Sequence, residues 1–137
     1  MKNFKIFLII FLIIISCNYN NKNNSISKIK DRAGNDIIIP KKIEKIICLS
    51  PSITEILIEI EEEDKIISVD SYSKEILEKN NISTSNMQIF DMMNPDVEKI
   101  ISLKPDIIFV NTFSVFSAKN SVDAIKNLGL SVAVIPN

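Results

Sequence analysis

The sequence predicts an α/β fold in which a mainly parallel sheet is covered by helices on both faces, giving three layers. Short apolar segments typical of strands alternate along the chain with segments whose apolar residues recur at helical spacing. Parallel strands joined by crossover helices place every strand-to-helix loop at one edge of the sheet. Ligands of open α/β sheets bind beyond that edge, so the loops are where a site is expected.

The first sixteen residues are typical of a lipoprotein signal peptide. Lys2 and Lys5 form a short positive n-region before an apolar run, Ile6–Ile15, which is too short to span a bilayer as a mature helix. The run ends in IISC, which resembles a lipobox and makes Cys17 the expected lipidated residue. A plain membrane anchor with an incidental cysteine is the alternative. The Asn-rich residues 17–30 are expected to be a flexible tether.

The folded part is predicted to run from Asp31 to Asn137. A turn at Gly34 and Asn35 precedes its first strand. The predicted strands are Asp36–Ile39, Ile43–Leu49, Lys65–Val69, Ile89–Phe90, Asp106–Asn111 and Leu130–Ile135. Helices are expected from about Pro51, at Lys74–Lys79, after Asn94 and at Ser117–Leu128.

Capping signals mark where the helices begin. Ser50 can cap the first helix, and Ser52 with Glu55 has the spacing of a capping box. Asn94 is a possible cap for the third helix, which carries Glu98 in its first turn. The Ser-Pro-Ser step therefore points a helix N-terminus and two hydroxyls at the loop edge. Ordinary capping, which needs no ligand, is the alternative.

Composition argues against several classes of function. The chain has no histidine, which excludes Ser-His-Asp triads and His-ligated zinc. A formal net charge of -1 without a basic tract argues against a nucleic-acid partner. Cys48 lies in an apolar strand pattern and is expected to be a buried small hydrophobe. Acids such as Asp91 and Asp96 fit solvated faces, so we predict no enzyme, no metal site and no cofactor.

Several segments in register resemble the N-terminal lobe of bacterial ABC-importer substrate-binding proteins, the family that serves cobalamin, haem and iron-siderophores. They are DRAGNDIIIP, IICLSPSITEIL, DKIISVDSYS, NPDVEKIISLKPDIIFV and AIKNLGLSVAVIPN. The chain departs from the family where glycines are common, at Glu61, Glu63, Ser68 and Asp91. Each substitution can cost about 1 kcal/mol where the backbone needs positive φ.

The resemblance implies a ligand-capture lipoprotein of the cell envelope, lipid-anchored on the periplasmic or extracytoplasmic face of a bacterial membrane. Its ligand would be a metal chelate, namely cobalamin, haem or an iron-siderophore, and its partner an ABC permease. Tyr72 matches a ligand-stacking tyrosine of cobalamin-binding relatives, and Glu98 matches the first-lobe acid that docks on the permease. The expected ligand-binding residues are Ser50, Pro51, Ser52, Tyr72, Met92, Met93 and Phe113.

Two alternatives stay open at this stage. Phe113 and Phe116 could instead pack under the following helix. The family has a second, C-terminal α/β lobe, which is missing here because the sequence stops at Asn137. The chain could therefore be a truncated, non-functional remnant or one half of a split binding protein.

Overall fold

The computed structural model describes residues 27–32 and 34–136, so the predicted signal peptide, Cys17 and residues 17–26 of the tether lie outside the described residues. The strands are β1 (Ser27–Lys30), β2 (Asp36–Ile39), β3 (Ile46–Leu49), β4 (Ile66–Asp70), β5 (Gln88–Phe90), β6 (Ile107–Asn111) and β7 (Val132–Ile135). The α-helices are α1 (Pro51–Glu59), α2 (Ser71–Lys79), α3 (Val97–Leu103), α4 (Thr112–Ser117) and α5 (Lys119–Asn127).

A parallel sheet of five strands, in the order β5-β4-β3-β6-β7, forms the centre of the lobe. Side chains alternate across it, because successive strand residues point to opposite faces. Ile46 and Cys48 of β3 join one half of the core, whereas Ile47 and Leu49 join the other. Helices α1 and α2 supply Leu57 and Leu77 to the first half, and α3 and α5 supply Ile100 and Ile125 to the second. The predicted α/β fold with helices on both faces is confirmed.

The strand order places a topological switch point between β3 and β6. From β3 the chain moves outward to β4 and β5, and it then returns to the other side of β3 to add β6 and β7. Segments that follow β3 and β6 therefore leave the sheet toward opposite faces. The crevice between them is where open α/β sheets bind ligands.

Strand β1 corrects the predicted extent of the tether. Residues 27–30 pair antiparallel with β2, and Ile29 lies opposite the buried Ile37. The turn that joins the strands is organised by Asp31, whose carboxylate accepts hydrogen bonds from the backbone N–H of Asn35 (2.7 Å) and of Val134 (3.0 Å). The pairing of β1 with β2 depends on these contacts with residues later in the chain. The polar sequence of residues 17–30 alone therefore does not predict a strand.

Helices follow β4 and β6 directly, earlier in the chain than predicted. Helix α2 begins at Ser71 rather than Lys74, and the helix predicted at Ser117–Leu128 is instead α4 followed by α5. In both places the residue that ends the strand also caps the next helix. Asp70 accepts a hydrogen bond from the Ser73 N–H at 3.0 Å, and Asn111 accepts one from the Ser114 N–H at 2.7 Å. These buried caps leave no room for a loop between strand and helix.

The caps predicted for two other helices are wrong. Ser50 occupies the N-cap position of α1, but its side chain makes no capping hydrogen bond and lies 3.3 Å from the Ser52 hydroxyl. The capping box with Glu55 does not form because Ser52 already lies inside the helix. Helix α3 is capped by Asp96 rather than Asn94, since the Asp96 carboxylate accepts the Lys99 N–H at 3.1 Å.

Replacing Glu61 by glycine is expected to raise the free energy of unfolding by about 0.5–1 kcal/mol. Among the four positions where the sequence departs from glycine, only Glu61 has positive φ, at 58°. A side chain there is strained, and glycine removes the strain. Urea denaturation followed by circular dichroism measures the change. Glu63→Gly is the matched control, and an equal gain in both variants would contradict the backbone explanation.

Candidate functional site

The candidate site lies at the C-terminal edge of the sheet, where all five parallel strands end. Every predicted ligand-binding residue follows the end of a strand at this edge. Ser50, Pro51 and Ser52 follow β3, Tyr72 follows β4, Met92 and Met93 follow β5, and Phe113 follows β6. The topology therefore brings the predicted residues to one edge.

Two buried polar residues fix the shape of this edge, and neither was a predicted site residue. The Asp70 carboxylate accepts hydrogen bonds from the N–H of Tyr72 (2.8 Å) and from the N–H and hydroxyl of Ser73 (3.0 and 2.6 Å). The Asn111 side-chain oxygen accepts from the N–H and hydroxyl of Ser114 (2.7 and 2.9 Å). The available sequence signal is an Asp or Asn at a strand end with serine three positions later.

The segment that follows β5 reaches across the edge toward β6. The Asn111 side-chain nitrogen lies 3.6 Å from the Met92 sulfur, so a weak hydrogen bond joins the two segments. Met93 and Asn94 then line a shallow groove of about 320 Å³ together with Phe116 and the start of α5. The groove thus collects side chains from the segments that follow β5 and β6, two strands that are not neighbours in the sheet.

Four large apolar side chains are exposed along this edge. The exposed fractions are 61% for Tyr72, 54% for Met93, 48% for Phe113 and 91% for Phe116. We call these four residues the apolar edge. The alternative that Phe116 packs under the following helix is wrong, and Phe113 is only half covered. Met93 and Phe116 line the same groove, and exposed apolar groups that lie together mark a binding surface more often than single ones do.

The first turn of helix α1 lies at the same edge, and the side chain of its N-cap residue, Ser50, makes no capping hydrogen bond. The Ser50 side chain is buried, and its hydroxyl and that of Ser52 approach each other instead of bonding the helix N–H groups. The helix dipole places partial positive charge at this end. A polar or negatively charged group of a ligand could interact here with both the helix dipole and the Ser52 hydroxyl.

Cys48 lies directly beneath the start of α1 and is fully buried, as predicted. The Thr54 hydroxyl donates to its sulfur at 3.2 Å, and the thiol donates to the Ser50 carbonyl at 3.4 Å. Burial raises the pKa of the Cys48 thiol to about 12, although the hydrogen bond from Thr54 opposes the rise. A thiol in this state is a packing group and not a nucleophile.

Positive charge is scarce around the apolar edge. The single arginine of the chain, Arg32, belongs to the turn between β1 and β2. Lys119 lines the groove, but its ammonium lies 2.5 Å from the Asp123 carboxylate, whose pKa that hydrogen bond lowers. Among the described residues, no group of three or more Cys, Asp or Glu side chains is placed to hold a metal ion. The edge can therefore make apolar contacts and a few hydrogen bonds through hydroxyl groups.

Glu98 lies at the same edge but outside the groove. Helix α3 begins just after the segment that follows β5, and Glu98 stands exposed in its first turn. Its neighbour Lys99 is drawn to Asp96, with a nitrogen-to-oxygen distance of 3.6 Å. Glu98 is therefore available as a surface acid beside the apolar edge.

No helix in the part of the chain that the structure describes is both long and apolar enough to cross a membrane. A model of the periplasmic binding protein family matches residues 46–134, which include every element from β3 to most of β7. The match therefore covers nearly the whole sheet and all the segments that form the candidate site.

Known proteins are similar to this chain in sequence and in fold. The uncharacterized ABC transporter substrate-binding lipoprotein YvrC of Bacillus subtilis (strain 168) is 32% identical over 110 residues, covering 78% of this chain and 32% of YvrC. A possible iron-binding, periplasmic solute-binding protein from Staphylococcus epidermidis is 28% identical with a TM-score of 0.60, covering 71% of this chain and 36% of that one. The Haemophilus influenzae molybdate-binding protein MolA is 23% identical with a TM-score of 0.66, covering 80% and 34%.

The shared part is the lobe described above, and the chain spans about a third of the length of these relatives. Within that lobe, the family match and the lipoprotein relative agree with the parallel sheet and with the segments resembling the family in sequence. The chain belongs to the periplasmic binding protein family.

Proposed function

We propose that this chain is the N-terminal lobe of a substrate-binding lipoprotein of an ABC importer and that it captures a metal chelate at its C-terminal edge. The observation that supports the proposal best is the apolar edge itself, with Tyr72, Met93, Phe113 and Phe116 exposed where the strands end. A lobe with this much exposed aromatic surface at the C-terminal edge of its sheet is suited to a flat or apolar ligand. Binding, not catalysis, is the role we assign.

The chemistry of the edge favours a chelate such as cobalamin, haem or an iron-siderophore. Among the compared proteins, one is described as possibly iron-binding and another binds molybdate. A small oxoanion such as molybdate needs several hydrogen-bond donors or positive charges around it, whereas this edge offers methionine and aromatic side chains. A macrocycle or organic chelator presents enough apolar surface to use them.

The proposed ligand contacts divide into two kinds. Tyr72, Met92, Met93 and Phe113 would contact the apolar face of the chelate, with Phe116 at the margin of the groove. Ser50, Pro51 and Ser52 would place the start of α1 against a polar or negatively charged group of the same ligand. A second lobe would cover the opposite side of the ligand and exclude water.

Ligand titration of the mature chain, residues 17–137 with Cys17→Ser, tests the proposal. One lobe supplies only part of a two-lobed site, so we expect weak binding, with a dissociation constant of about 0.1–1 mM. Cyanocobalamin, gallium protoporphyrin and a gallium siderophore are diamagnetic probes suited to NMR. With methyl-labelled methionine, at least one of these probes should shift the signals of Met92 and Met93. Met87 precedes β5 at the opposite edge and serves as an internal control.

Two outcomes decide the titration. Phe116→Ala should weaken binding about fivefold, whereas Leu128→Ala, which truncates another exposed apolar residue just beyond the far end of α5, should not. Equal shifts at all three methionines, or none with any probe at millimolar concentration, would contradict a chelate site at this edge. Saturable binding below 1 µM would contradict the expectation that one lobe forms only part of the site.

We also propose that Glu98 docks the lobe on the permease. In a two-lobed version of this protein, Glu98→Ala should leave ligand affinity unchanged and reduce association with the permease, measured by co-purification and by ligand uptake. An exposed pair of charges contributes only about 0–1 kcal/mol but steers and orients a partner. Glu75→Ala, which removes an exposed acid from α2, is the control. Normal uptake with a lower melting temperature would show that Glu98 only stabilises its helix.

A further inference from the structure

A cleft of about 220 Å³ opens beside helix α1, on the face of the sheet that α1 and α2 cover. Its apolar lining includes Phe109 of β6, Ile43 before β3, and Leu57 and Ile60 of the α1 segment. Strand β6 lies inside the sheet, between β3 and β7, yet Phe109 is only partly buried. The sheet is therefore incompletely covered beside α1, and we call this opening the α1 cleft.

Two exposed isoleucines extend the apolar surface of the α1 cleft. Ile53 and Leu57 of α1 are buried against the sheet, whereas Ile56 and Ile60 are 51% and 58% exposed. Residues four apart lie side by side on a helix, so Ile56 and Ile60 form one ridge along the flank of α1. Ile60 also lines the cleft, so the ridge and the cleft adjoin. A contiguous apolar surface of this kind marks an interaction site more often than single exposed residues do.

The two borders of this surface carry opposite net charge. The helix border, residues 55–64, holds six acidic side chains and no basic one: Glu55, Glu59, Glu61, Glu62, Glu63 and Asp64. The loop border, which carries Ile43, has four exposed charged side chains: Lys41, Lys42, Glu44 and Lys45. Glu62 is paired with Lys65, and Lys42 with Glu44, but both borders keep their net charge after these pairs are counted. The surface therefore has a negative side along α1 and a positive side across the cleft.

We infer that two copies of this chain pair through the α1 cleft about a two-fold axis parallel to α1. In a two-fold dimer the same surface of each copy meets itself. An axis in this direction lays the ridge of Ile56 and Ile60 of each copy against the cleft of the other. It also places the acidic border of each copy opposite the lysine border of the other, so charge and shape are complementary in one arrangement.

The pairing surface is separate from the candidate ligand site. Helix α1 begins at the C-terminal edge of the sheet and ends toward the N-terminal edge. The α1 cleft lies at this second end, because its lining also includes Ile46, the first residue of β3, and Lys65, directly before β4. The apolar edge and Glu98 stay open in the dimer. The inference therefore stands or falls independently of the proposed function.

Sedimentation equilibrium of the mature chain, residues 17–137 with Cys17→Ser, tests the pairing. The surface is small, so we expect a weak dimer with a dissociation constant of about 10–100 µM. Ile60→Glu places a charge in the ridge and should raise the dissociation constant at least about tenfold. Leu128→Glu is the matched control, because Leu128 is 60% exposed and follows α5 on the other face of the sheet. It should leave the dissociation constant unchanged.

A charge exchange tests the arrangement of the two copies. One variant, Glu59→Lys with Glu61→Lys, makes both borders basic, and the other, Lys42→Glu with Lys45→Glu, makes both acidic. Each variant alone should dimerise at least about fivefold more weakly, because like charges then face each other. An equimolar mixture should form a heterodimer with about the native affinity, measured by sedimentation velocity with one variant labelled. Circular dichroism checks that every variant is folded.

Three results would overturn the inference. A chain that stays monomeric up to about 1 mM would exclude a second copy and leave the α1 cleft to an apolar segment of another protein. A dimer that is lost with Phe116→Glu but kept with Ile60→Glu would place the contact at the apolar edge instead. A mixture of the two charge variants that forms no heterodimer would exclude the opposition of acidic and lysine borders.

Discussion

Replacing Asp70 by alanine is expected to lower the free energy of unfolding by about 2–4 kcal/mol. Its carboxylate is fully buried and accepts three hydrogen bonds, from the Tyr72 N–H and from the N–H and hydroxyl of Ser73. Alanine leaves these donors without an acceptor at a site that water does not reach. Urea denaturation followed by circular dichroism measures the loss.

Asp96→Ala is the matched control for this prediction. Asp96 is also an N-cap aspartate, but it is exposed and accepts only one backbone hydrogen bond, from Lys99. Its loss should cost about 1 kcal/mol, because water can replace the lost acceptor. Asp70→Asn keeps one acceptor oxygen and should fall between the two alanine variants. Equal losses for Asp70→Ala and Asp96→Ala would show that burial adds nothing to the cap.

Raising the pH above 9 is expected to destabilise the lobe through Cys48. Its thiol has a pKa of about 12 in the folded lobe, compared with 9.0 for the unperturbed group. Below pH 9 the thiol is protonated in both states and has no effect. Between pH 9 and 12 only the unfolded chain releases the proton, so stability falls by up to about 1.4 kcal/mol per pH unit. The full loss is about 4 kcal/mol at pH 12.

The measurement compares unfolding of the mature chain, residues 17–137 with Cys17→Ser, at pH 8 and pH 10 with and without Cys48→Ala. Lysine and tyrosine titration affects both chains, so the difference between their pH slopes isolates Cys48. We expect the chain that retains Cys48 to lose about 1 kcal/mol more over this interval. Parallel slopes would show that the thiol reaches solvent or ionises in the folded lobe.

The order of the elements could be predicted because each strand is a short apolar run and most helices carry local signals. Strand β2 was predicted with its exact bounds, and Glu98 was placed correctly in the first turn of its helix. The position of the candidate site follows from the same order, since parallel strands bring Tyr72 and Phe113 to one edge whatever the details of the loops.

The details that escaped prediction depend on tertiary contacts. Asp70 and Asn111 cap their helices from buried positions at the ends of β4 and β6, and burial of a polar residue has no local signal in sequence. The contact between Met92 and Asn111 joins residues nineteen positions apart, across strands that are not adjacent. The absence of a capping hydrogen bond from the Ser50 side chain could not be predicted either, because the sequence around Ser50 has the features of a capped helix.

The carboxylate of Asp31 also helps to protect an isoleucine-rich lobe from aggregation. Edge strands expose unpaired N–H groups to which strands of other molecules can add, which is a common route to aggregation. At one border of the sheet, Asp31 occupies the N–H of Val134, and a carboxylate can accept but cannot donate to an incoming strand. The other border is β5, which has only three residues. Neither border offers a long open template for intermolecular β-pairing.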